Sequence, residues 1–213
     1  MSQDNRLADA LAQCREQDVL ALVREKLDAG VSPTDVVAEC NRGMAQLGDR
    51  FASGDCFLPE LMFGGKIMKD LTAELGPHLE GTPEVEKIGT AVLGSVQHDI
   101  HDIGKDIIVM LLRGVGFEVV DLGVDVPPAR FVEAIREHQP HVIGMSVLLT
   151  TCYDAVKETV AAIEHAGLRD NLCVMVGGAA ASDLLAEASG CDFYGKTAVD
   201  GMKRAMQTVG AEA

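Results

Sequence analysis

From residue 88 onward, five short apolar runs alternate with five stretches of helical periodicity. The runs span 88–96, 117–124, 141–149, 172–180 and 191–195, and the helical stretches span 104–115, 128–138, 153–166, 182–189 and 197–208. Strands separated by helices form a parallel sheet through right-handed crossovers, and runs that are apolar on both faces are typical of central, doubly covered strands. The sequence therefore predicts an α/β fold of the Rossmann or flavodoxin type, with five parallel strands in the order 2-1-3-4-5.

The first 75 residues or so show helical patterns and no convincing strand. Ser32 and Pro33 are typical of a helix start, as N-cap and first helical residue, and a second long helix is predicted to begin near Pro59. The helix after Ser32 has apolar residues at helical spacing, namely Val36, Val37, Cys40, Met44, Leu47 and Phe51. Two shorter helices at 3–14 and 18–29 complete a predicted antiparallel four-helix bundle.

The stretch "GPHLEGTPEVEK" at 76–87 combines Pro, Gly and charged residues, which is typical of a linker between domains. The sequence therefore predicts two domains. Residues 1–87 form the helical domain with its linker, and residues 88–213 form the α/β domain.

Charge and composition exclude several classes of partner. The chain has 18 basic and 33 acidic residues, and a net charge of −15 repels nucleic acid. No window approaches 18 uninterrupted apolar residues, as a membrane span needs, and the polar N-terminus lacks the apolar core of a secretion signal. A cytoplasmic location is the default expectation. The six Cys are scattered without a C-x-x-C pair, which favours small buried thiols over a zinc site.

Three short motifs follow three of the predicted strands. They are D-x-H-x-x-G (Asp99, His101, Gly104) after the first strand, S-x-L (Ser146, Leu148) after the third, and Gly177-Gly178 after the fourth. Placing ionisable side chains beside an apolar core costs free energy unless they have hydrogen-bonding partners, so such residues often belong to functional sites. In open parallel sheets, ligands bind beyond the carboxyl ends of the strands, near the switch point that strands 1 and 3 flank here. Each motif alone is unspecific.

The spacing of the three motifs is informative when they are taken together. Residues 105–145 put 41 positions between Gly104 and Ser146, and residues 149–176 put 28 between Leu148 and Gly177. This resembles the signature of proteins that bind cobalamin base-off, with a His replacing the dimethylbenzimidazole of the cofactor, such as methionine synthase and the B12-dependent mutases. The preceding helices, with "FLPELM", narrow the resemblance to the corrinoid proteins of methyltransferase systems, in which a helical cap and the α/β domain form the whole protein.

The resemblance implies roles for the residues of the first two motifs. His101 is the implied cobalt ligand, and Asp99 the partner that fixes its tautomer and raises its basicity. Gly104 leaves room for the displaced nucleotide tail of the cofactor. Ser146 and Leu148 are expected to line the slot that receives the benzimidazole.

Further positions follow from the same resemblance. Gly177 and Gly178 are expected to let the nucleotide tail approach strand 4. Where methionine synthase has a hydroxyl residue that extends the His–Asp pair, the matching position here is Cys152, next to Thr151 and Thr150. A thiol is a poorer hydrogen-bond partner than a hydroxyl, so this third member of the relay is in question.

In the helical domain, the spacing of Leu61, Met62 and Met68 predicts one shared apolar face with Leu58 and Gly65. On the pattern alone, such residues are more typical of bundle core than of a cofactor site. The resemblance implies that Leu61, Met62 and Met68 lie near the upper face of the corrin. The pair Gly64-Gly65, which is unfavourable inside a helix, indicates close packing there.

His98, Asp102 and Asp106 adjoin the first motif. His98 is predicted to face solvent. Asp102 and Asp106 lie in a first helical turn, where the helix dipole stabilises negative charge, and this capping role accounts for them.

The resemblance implies a methyl carrier that does not act as an enzyme alone. Its cofactor, cobalamin, would alternate between cob(I)alamin and methylcobalamin. The expected partners are a substrate-specific methyltransferase, a second methyltransferase that uses tetrahydrofolate or a thiol acceptor, and a reductive activator. Methylamines, quaternary amines, methanol and methoxylated aromatics all remain open as methyl donors.

Two other functions are compatible with the same modules. A cobalamin-responsive sensor is expected to carry an added DNA-binding or signalling domain, for which the chain has no residues left, and a charge of −15 disfavours DNA. The cobalamin subunit of a carbon-skeleton mutase is expected to lack the N-terminal bundle. A light-dependent change of oligomer would favour the sensor, and a preference for adenosylcobalamin would favour the mutase.

Overall fold

The structure, a computed structural model, describes residues 5–79 and 87–211. Its residues group into two compact units. One consists of the chain up to Lys87 together with Arg113–Gly116, and the other of Ile88–Leu112 and the chain from Phe117 onward. Each unit is described in turn.

The helical unit contains α1 (Arg6–Ala12), α2 (Glu16–Asp28), α3 (Pro33–Ser53) and α4 (Leu58–Leu79). The Ser32 hydroxyl accepts the Asp35 backbone N–H at 3.1 Å, and Pro33 is the first helical residue, so the predicted start of α3 is confirmed. Helix α3 ends at Gly54, whose φ of 84° suits glycine. Helix α3 packs on the other three helices, and α1 also contacts α2 and α4.

The interior of the helical unit is apolar, and its largest fully buried side chains are Leu7, Leu11, Met44, Leu47, Leu61, Ile67, Leu71 and Leu75. The predicted close packing is confirmed at Gly64. A Cβ atom there would lie 2.3 Å from Leu47 Cδ2 of α3. A larger residue at this position would therefore force the Leu47 side chain to shift.

The apolar face predicted for α4 is wrong for one of its members. Leu61 is fully buried and Met68 nearly so, but Met62 is 58% exposed. Consecutive residues point about 100° apart around a helix. The buried stripe that contains Leu61 continues through Ile67 and Leu71 and leaves Met62 on the outside.

The linker predicted at 76–87 begins too early. Helix α4 continues to Leu79 and includes Gly76 and Pro77. Proline removes one backbone hydrogen bond, but its fixed φ is compatible with helical backbone, so a Gly-Pro pair does not by itself end a helix. Residues 80–86 lie outside the described residues, and the division of the chain at 87 stays a prediction.

The α/β unit alternates strands and helices along the chain. It contains β1 (Gly89–Ser95), α5 (Ile103–Gly114), β2 (Phe117–Asp121), α6 (Pro128–His138), β3 (Val142–Ser146), a 3-10 turn (Thr150–Cys152), α7 (Tyr153–His165), β4 (Cys173–Gly177), α8 (Asp183–Ser189), β5 (Phe193–Gly195) and α9 (Ala198–Thr208). The strands are parallel, in the order β2-β1-β3-β4-β5. The predicted fold class and strand order are confirmed.

The register of the sheet brings the strand ends level with one another. Ser95 of β1 pairs with Ser146 of β3, Ser146 pairs with Gly177 of β4, and Gly177 pairs with Gly195 of β5. On one face, α6, α7 and α8 share a continuous apolar core with the central strands. The segments that follow β1, β3 and β4 therefore leave the sheet at one edge.

Within residues 5–79 and 87–211, no helix combines the length and the apolar character needed to cross a bilayer.

Candidate functional site

Asp99 and His101 form a hydrogen-bonded pair in the turn between β1 and α5. The Nδ1 atom of His101 lies 2.8 Å from Asp99 Oδ1, and the His101 backbone N–H donates to the same oxygen at 3.0 Å. The Asp99 side chain is 1% exposed, whereas that of His101 is 47% exposed. An ionised carboxylate only accepts hydrogen bonds, so the imidazole proton lies on Nδ1 and the Nε2 lone pair is left to act as a donor to a metal.

The end of β3 supplies the other hydrogen bonds to the Asp99 carboxylate. Oδ2 accepts the backbone N–H of Leu148 at 2.6 Å and that of Leu149 at 3.4 Å. Burial raises the pKa of Asp99, but the N–H groups of Leu148 and His101, the His101 ring and the Leu149 N–H together outweigh it and hold the pKa below its ordinary value of 3.8. Asp99 is therefore a carboxylate at neutral pH.

Ser95, which the motifs did not indicate, also fixes the turn between β1 and α5. We call this turn the ligand turn. The Ser95 hydroxyl is fully buried and donates to the His101 carbonyl at 2.7 Å. The sequence signal was a hydroxyl residue at the carboxyl end of a largely apolar strand. The Ser95 hydroxyl thus holds the His101 carbonyl, and Asp99 holds the His101 N–H, so both polar groups of the His101 backbone are bonded.

The structure brings the residues of the three motifs to one edge. Ser146 is half-buried at the end of β3, and Leu148 contributes its N–H to Asp99 while its side chain is 40% exposed. Thr150 is exposed and begins the 3-10 turn. Leu61, Met62 and Met68 belong to the helical unit, and their nearness to a cofactor stays a prediction.

The structure corrects the position of Cys152. Its side chain is 2% exposed and belongs to the apolar core with Val156 of α7. Its Sγ atom is 4.0 Å from Thr151 Oγ1, while backbone N–H groups from the end of β3 occupy Asp99 Oδ2. In the described chain, the His101–Asp99 pair is thus continued by backbone amides and not by a thiol.

The motif glycines differ in what requires them. At Gly178, φ is 111° and a Cβ atom would lie 2.3 Å from the Val147 carbonyl oxygen, so the fold itself requires glycine. At Gly177, a Cβ would lie 3.3 Å from the Gly195 carbonyl oxygen. At Gly104, φ is ordinary and a Cβ would meet nothing within 4 Å. The packing of the described residues therefore gives no reason for glycine at 104.

Apolar side chains are exposed in the segments that follow β1, β2 and β3 at this edge of the sheet, and we call them the apolar rim. Ile100 and Ile103 are each 72% exposed, and Leu149 and Val124 are also exposed. Ile100 and Ile103 flank His101 and Gly104 in the chain, and Leu149 follows Leu148, which donates its N–H to Asp99. Exposed apolar side chains at the edge where parallel strands end are typical of a ligand site. The motifs did not include this apolar rim, although the pattern I-H-D-I at 100–103 could have indicated part of it.

Comparison with known proteins gives matches over nearly the whole chain. A family model described as a B12 binding domain matches residues 89–203, and a second model with the same description matches residues 3–75. The dimethylamine corrinoid protein of Methanosarcina barkeri is 37% identical over 202 residues, which cover 94% of each chain. Trimethylamine corrinoid protein 1 of Methanosarcina acetivorans is 36% identical over 194 residues, which cover 90% of each chain.

Solved structures give the same result. A cobalamin-binding protein from Desulfitobacterium hafniense superposes with a TM-score of 0.83 at 32% identity, covering 97% of this chain and 98% of that one. The methanol:cobalamin methyltransferase complex of Methanosarcina barkeri includes a chain with a TM-score of 0.82 at 27% identity, covering 100% of this chain and 82% of that one.

The α/β unit with its parallel sheet and the helical unit are each matched by a B12-binding domain. The chain belongs to the family of corrinoid proteins of methyltransferase systems, and cobalamin is its cofactor.

The residues at the strand edge fit cobalamin. Nε2 of His101 is a neutral nitrogen donor of the kind that cobalt binds, and Asp99 is the carboxylate partner usual for a ligating His. The apolar rim suits a large macrocycle. The backbone at Gly104 borders open space, which a side chain would partly occupy.

Gly104→Ala should have opposite effects on folding and on binding. Gly104 lies in the first turn of α5, where Ala is favoured, so the free energy of unfolding should rise by about 0.5–1 kcal/mol. The new methyl group would project into the space expected for the nucleotide tail, and affinity for cobalamin should fall. Urea denaturation of the cofactor-free protein and a hydroxocobalamin titration measure the two effects. An unchanged affinity would contradict the placement of the tail at Gly104.

Proposed function

We propose that this protein is a methyl carrier that binds cobalamin base-off, with Nε2 of His101 as the lower ligand of cobalt. The observation that carries the proposal is the Asp99–His101 pair, in which a buried, ionised carboxylate holds Nδ1 and leaves Nε2 at the strand edge. When bound, cobalamin supplies a metal that can accept a methyl group and donate it again.

The residues of the chain contribute orientation and proton control. Asp99 keeps the proton on Nδ1 of His101, which raises the basicity of Nε2 as a ligand. The Leu148 and Leu149 amides help to keep Asp99 ionised, so that it can hold the ring in this orientation.

Two methyltransferases and a reductive activator are the proposed partners. One methyltransferase would bring the methyl donor, and the other would pass the methyl group to tetrahydrofolate or a thiol. The methyltransferase complex that contains a similar chain supports the first of these. Because the relatives include dimethylamine and trimethylamine corrinoid proteins, methylated amines are the donors to test first.

His101→Ala should abolish protein ligation of the metal. Protein labelled uniformly with ¹⁵N is loaded with unlabelled cobalamin, reduced to the paramagnetic Co(II) state, and its EPR spectrum is recorded. An axial ¹⁵N from the protein splits each cobalt line into a doublet, whereas the ¹⁴N base of the cofactor would give a triplet. We expect a doublet for the native protein and its loss in His101→Ala.

His165→Ala is the matched control, because His165 is an exposed His in the last turn of α7. It should keep the doublet. A triplet in the native protein, or a doublet that survives in His101→Ala, would show that His101 is not the ligand.

A further inference from the structure

The segment after β2, residues 121–126, continues alongside the end of β1. The Ser95 N–H donates to the Gly123 carbonyl at 3.0 Å, and the Val126 N–H donates to the Ser95 carbonyl at 3.0 Å. We call residues 121–126 the brace loop. Because Ser95 also holds the His101 carbonyl, the brace loop is tied directly to the turn that carries the ligand.

The brace loop holds the Asp99 backbone through Asp125. The Asp125 N–H donates to the Asp99 carbonyl at 2.9 Å, and the Asp125 Oδ1 atom accepts the His98 N–H at 2.7 Å. One residue of the loop therefore holds the Gln97–His98 and Asp99–Ile100 peptide groups, which enclose His98 and Asp99.

Both residues of this contact have left-handed backbone. The φ angle is 70° at His98 and 52° at Asp125, and neither residue is glycine. Left-handed backbone is unfavourable for residues that carry a Cβ, and it persists where surrounding bonds enforce it, often at functional sites. Here the two Asp125 hydrogen bonds are the enforcing contacts.

The other end of the brace loop is anchored to α5. The Lys105 Nζ atom contacts both Asp121 carboxylate oxygens, at 2.7 and 2.6 Å, and also Asp106 at 2.7 Å. Asp121 Oδ1 in turn accepts the Gly123 N–H at 2.9 Å. The Lys105 side chain is 4% exposed and that of Asp121 is 27% exposed, so this partly shielded ion pair fixes where the loop begins.

We propose that Asp125 is a positioning residue for the His101 ligand. It fixes the Asp99 backbone so that one carboxylate reaches His101 Nδ1 and the Leu148 N–H at the same time. The inference rests on the proposed function, because it concerns the orientation of the proposed cobalt ligand.

Two variants, Asp125→Asn and Asp125→Gly, separate the effect of the Asp125 side-chain hydrogen bond from the effect of the left-handed backbone at this position. Asn and Gly both accept a φ near 52°, but only Asn keeps an oxygen that can accept the His98 N–H. In the cofactor-free protein, amide hydrogen exchange at His98 should be at least about tenfold faster in Asp125→Gly than in Asp125→Asn. Affinity for hydroxocobalamin should be about tenfold weaker in Asp125→Gly and should stay within about threefold of native in Asp125→Asn.

The ¹⁵N doublet shows whether the ligand itself is displaced. Positioning predicts a smaller doublet fraction in Asp125→Gly, with exchange in α7, far along the chain from the turn, left at its native rate. The proposal would be overturned if the two variants had equal His98 exchange rates, affinities and doublet fractions. It would also be overturned if Asp125→Gly showed faster His98 exchange but kept native affinity and a native doublet. A native protein without a doublet contradicts the proposed function instead, and His98 exchange then still tests the Asp125 hydrogen bond.

Discussion

Asp99→Asn should weaken cobalamin binding by about 10–100-fold and lower the free energy of unfolding by about 2–4 kcal/mol at neutral pH. Four N–H groups converge on this buried carboxylate, from His101 Nδ1 and from the backbones of His101, Leu148 and Leu149. An amide of the same shape turns its NH₂ group toward some of these donors. At least one buried donor then loses its partner, and the His101 ring loses the charge that orients it.

The stability effect of Asp99→Asn should depend on pH. In the folded protein the pKa of Asp99 lies below its ordinary value of 3.8, so above that value the ionised carboxylate favours the folded state. This contribution is lost as the pH falls through the folded pKa, because the folded state then takes up the proton as well. The difference in unfolding free energy between native protein and Asp99→Asn should therefore be largest near neutral pH and should shrink below pH 3.8.

Urea denaturation of the cofactor-free proteins at neutral and acidic pH measures this difference, and a hydroxocobalamin titration measures binding. Asp102→Asn is the matched control, because Asp102 is an exposed carboxylate three residues farther along the chain. It should change neither quantity by more than a small amount. A difference for Asp99→Asn that stayed constant with pH would show that the carboxylate charge is not what the turn requires.

Gly178→Ala should have the largest effect on folding of any substitution at a motif glycine, with a loss of about 3 kcal/mol or more. The φ angle of 111° is unfavourable for any residue with a Cβ. The added atom would also lie 2.3 Å from the oxygen and 2.9 Å from the carbon of the Val147 carbonyl. Because these are backbone atoms of the chain just after β3, no side-chain rotation can relieve the contact.

Gly177→Ala is the natural control, one residue earlier at the end of β4. Its Cβ would meet the Gly195 carbonyl oxygen at 3.3 Å, a contact that a shift of a few tenths of an ångström relieves. We expect its cost to be about 1 kcal/mol. The midpoints of urea denaturation of the two cofactor-free variants give the comparison. Equal midpoints would show that the backbone at Gly178 can move away from Val147.

The local pattern of the chain was sufficient for the secondary structure and for the order of the strands. Apolar runs covered on both faces, separated by amphipathic stretches, leave few topologies once right-handed crossovers are required. Ser32 and Pro33 marked the start of α3 because capping depends on residues a few positions apart. Asp99 and His101 were selected through the resemblance that their motif carries, and the hydrogen bond between them lies within one turn.

Errors arose where the outcome depended on residues distant in the chain. Met62 has the composition of a core residue, but the direction from which α3 packs on α4 decides which side of α4 is buried. Cys152 matched a relay position by counting, yet its side chain belongs to the core with α7. At Gly178, the approach of the nucleotide tail stays a prediction, and the tertiary structure adds that Val147 of the neighbouring segment excludes a side chain there.

By itself, the sequence determined the class of fold and the strand order, since periodicity and capping are properties of neighbouring residues, and the spacing of its motifs carried the resemblance that implied the His–Asp pair. Only the tertiary structure decided what holds that pair. The parallel register of β1, β2 and β3 brings the ends of these strands together. Two distant groups therefore reach the ligand turn, the Leu148 amide, 49 positions after Asp99, and Asp125, 27 positions after His98. Hydrogen bonds over such separations depend on the position of the backbone in space, which no local pattern encodes.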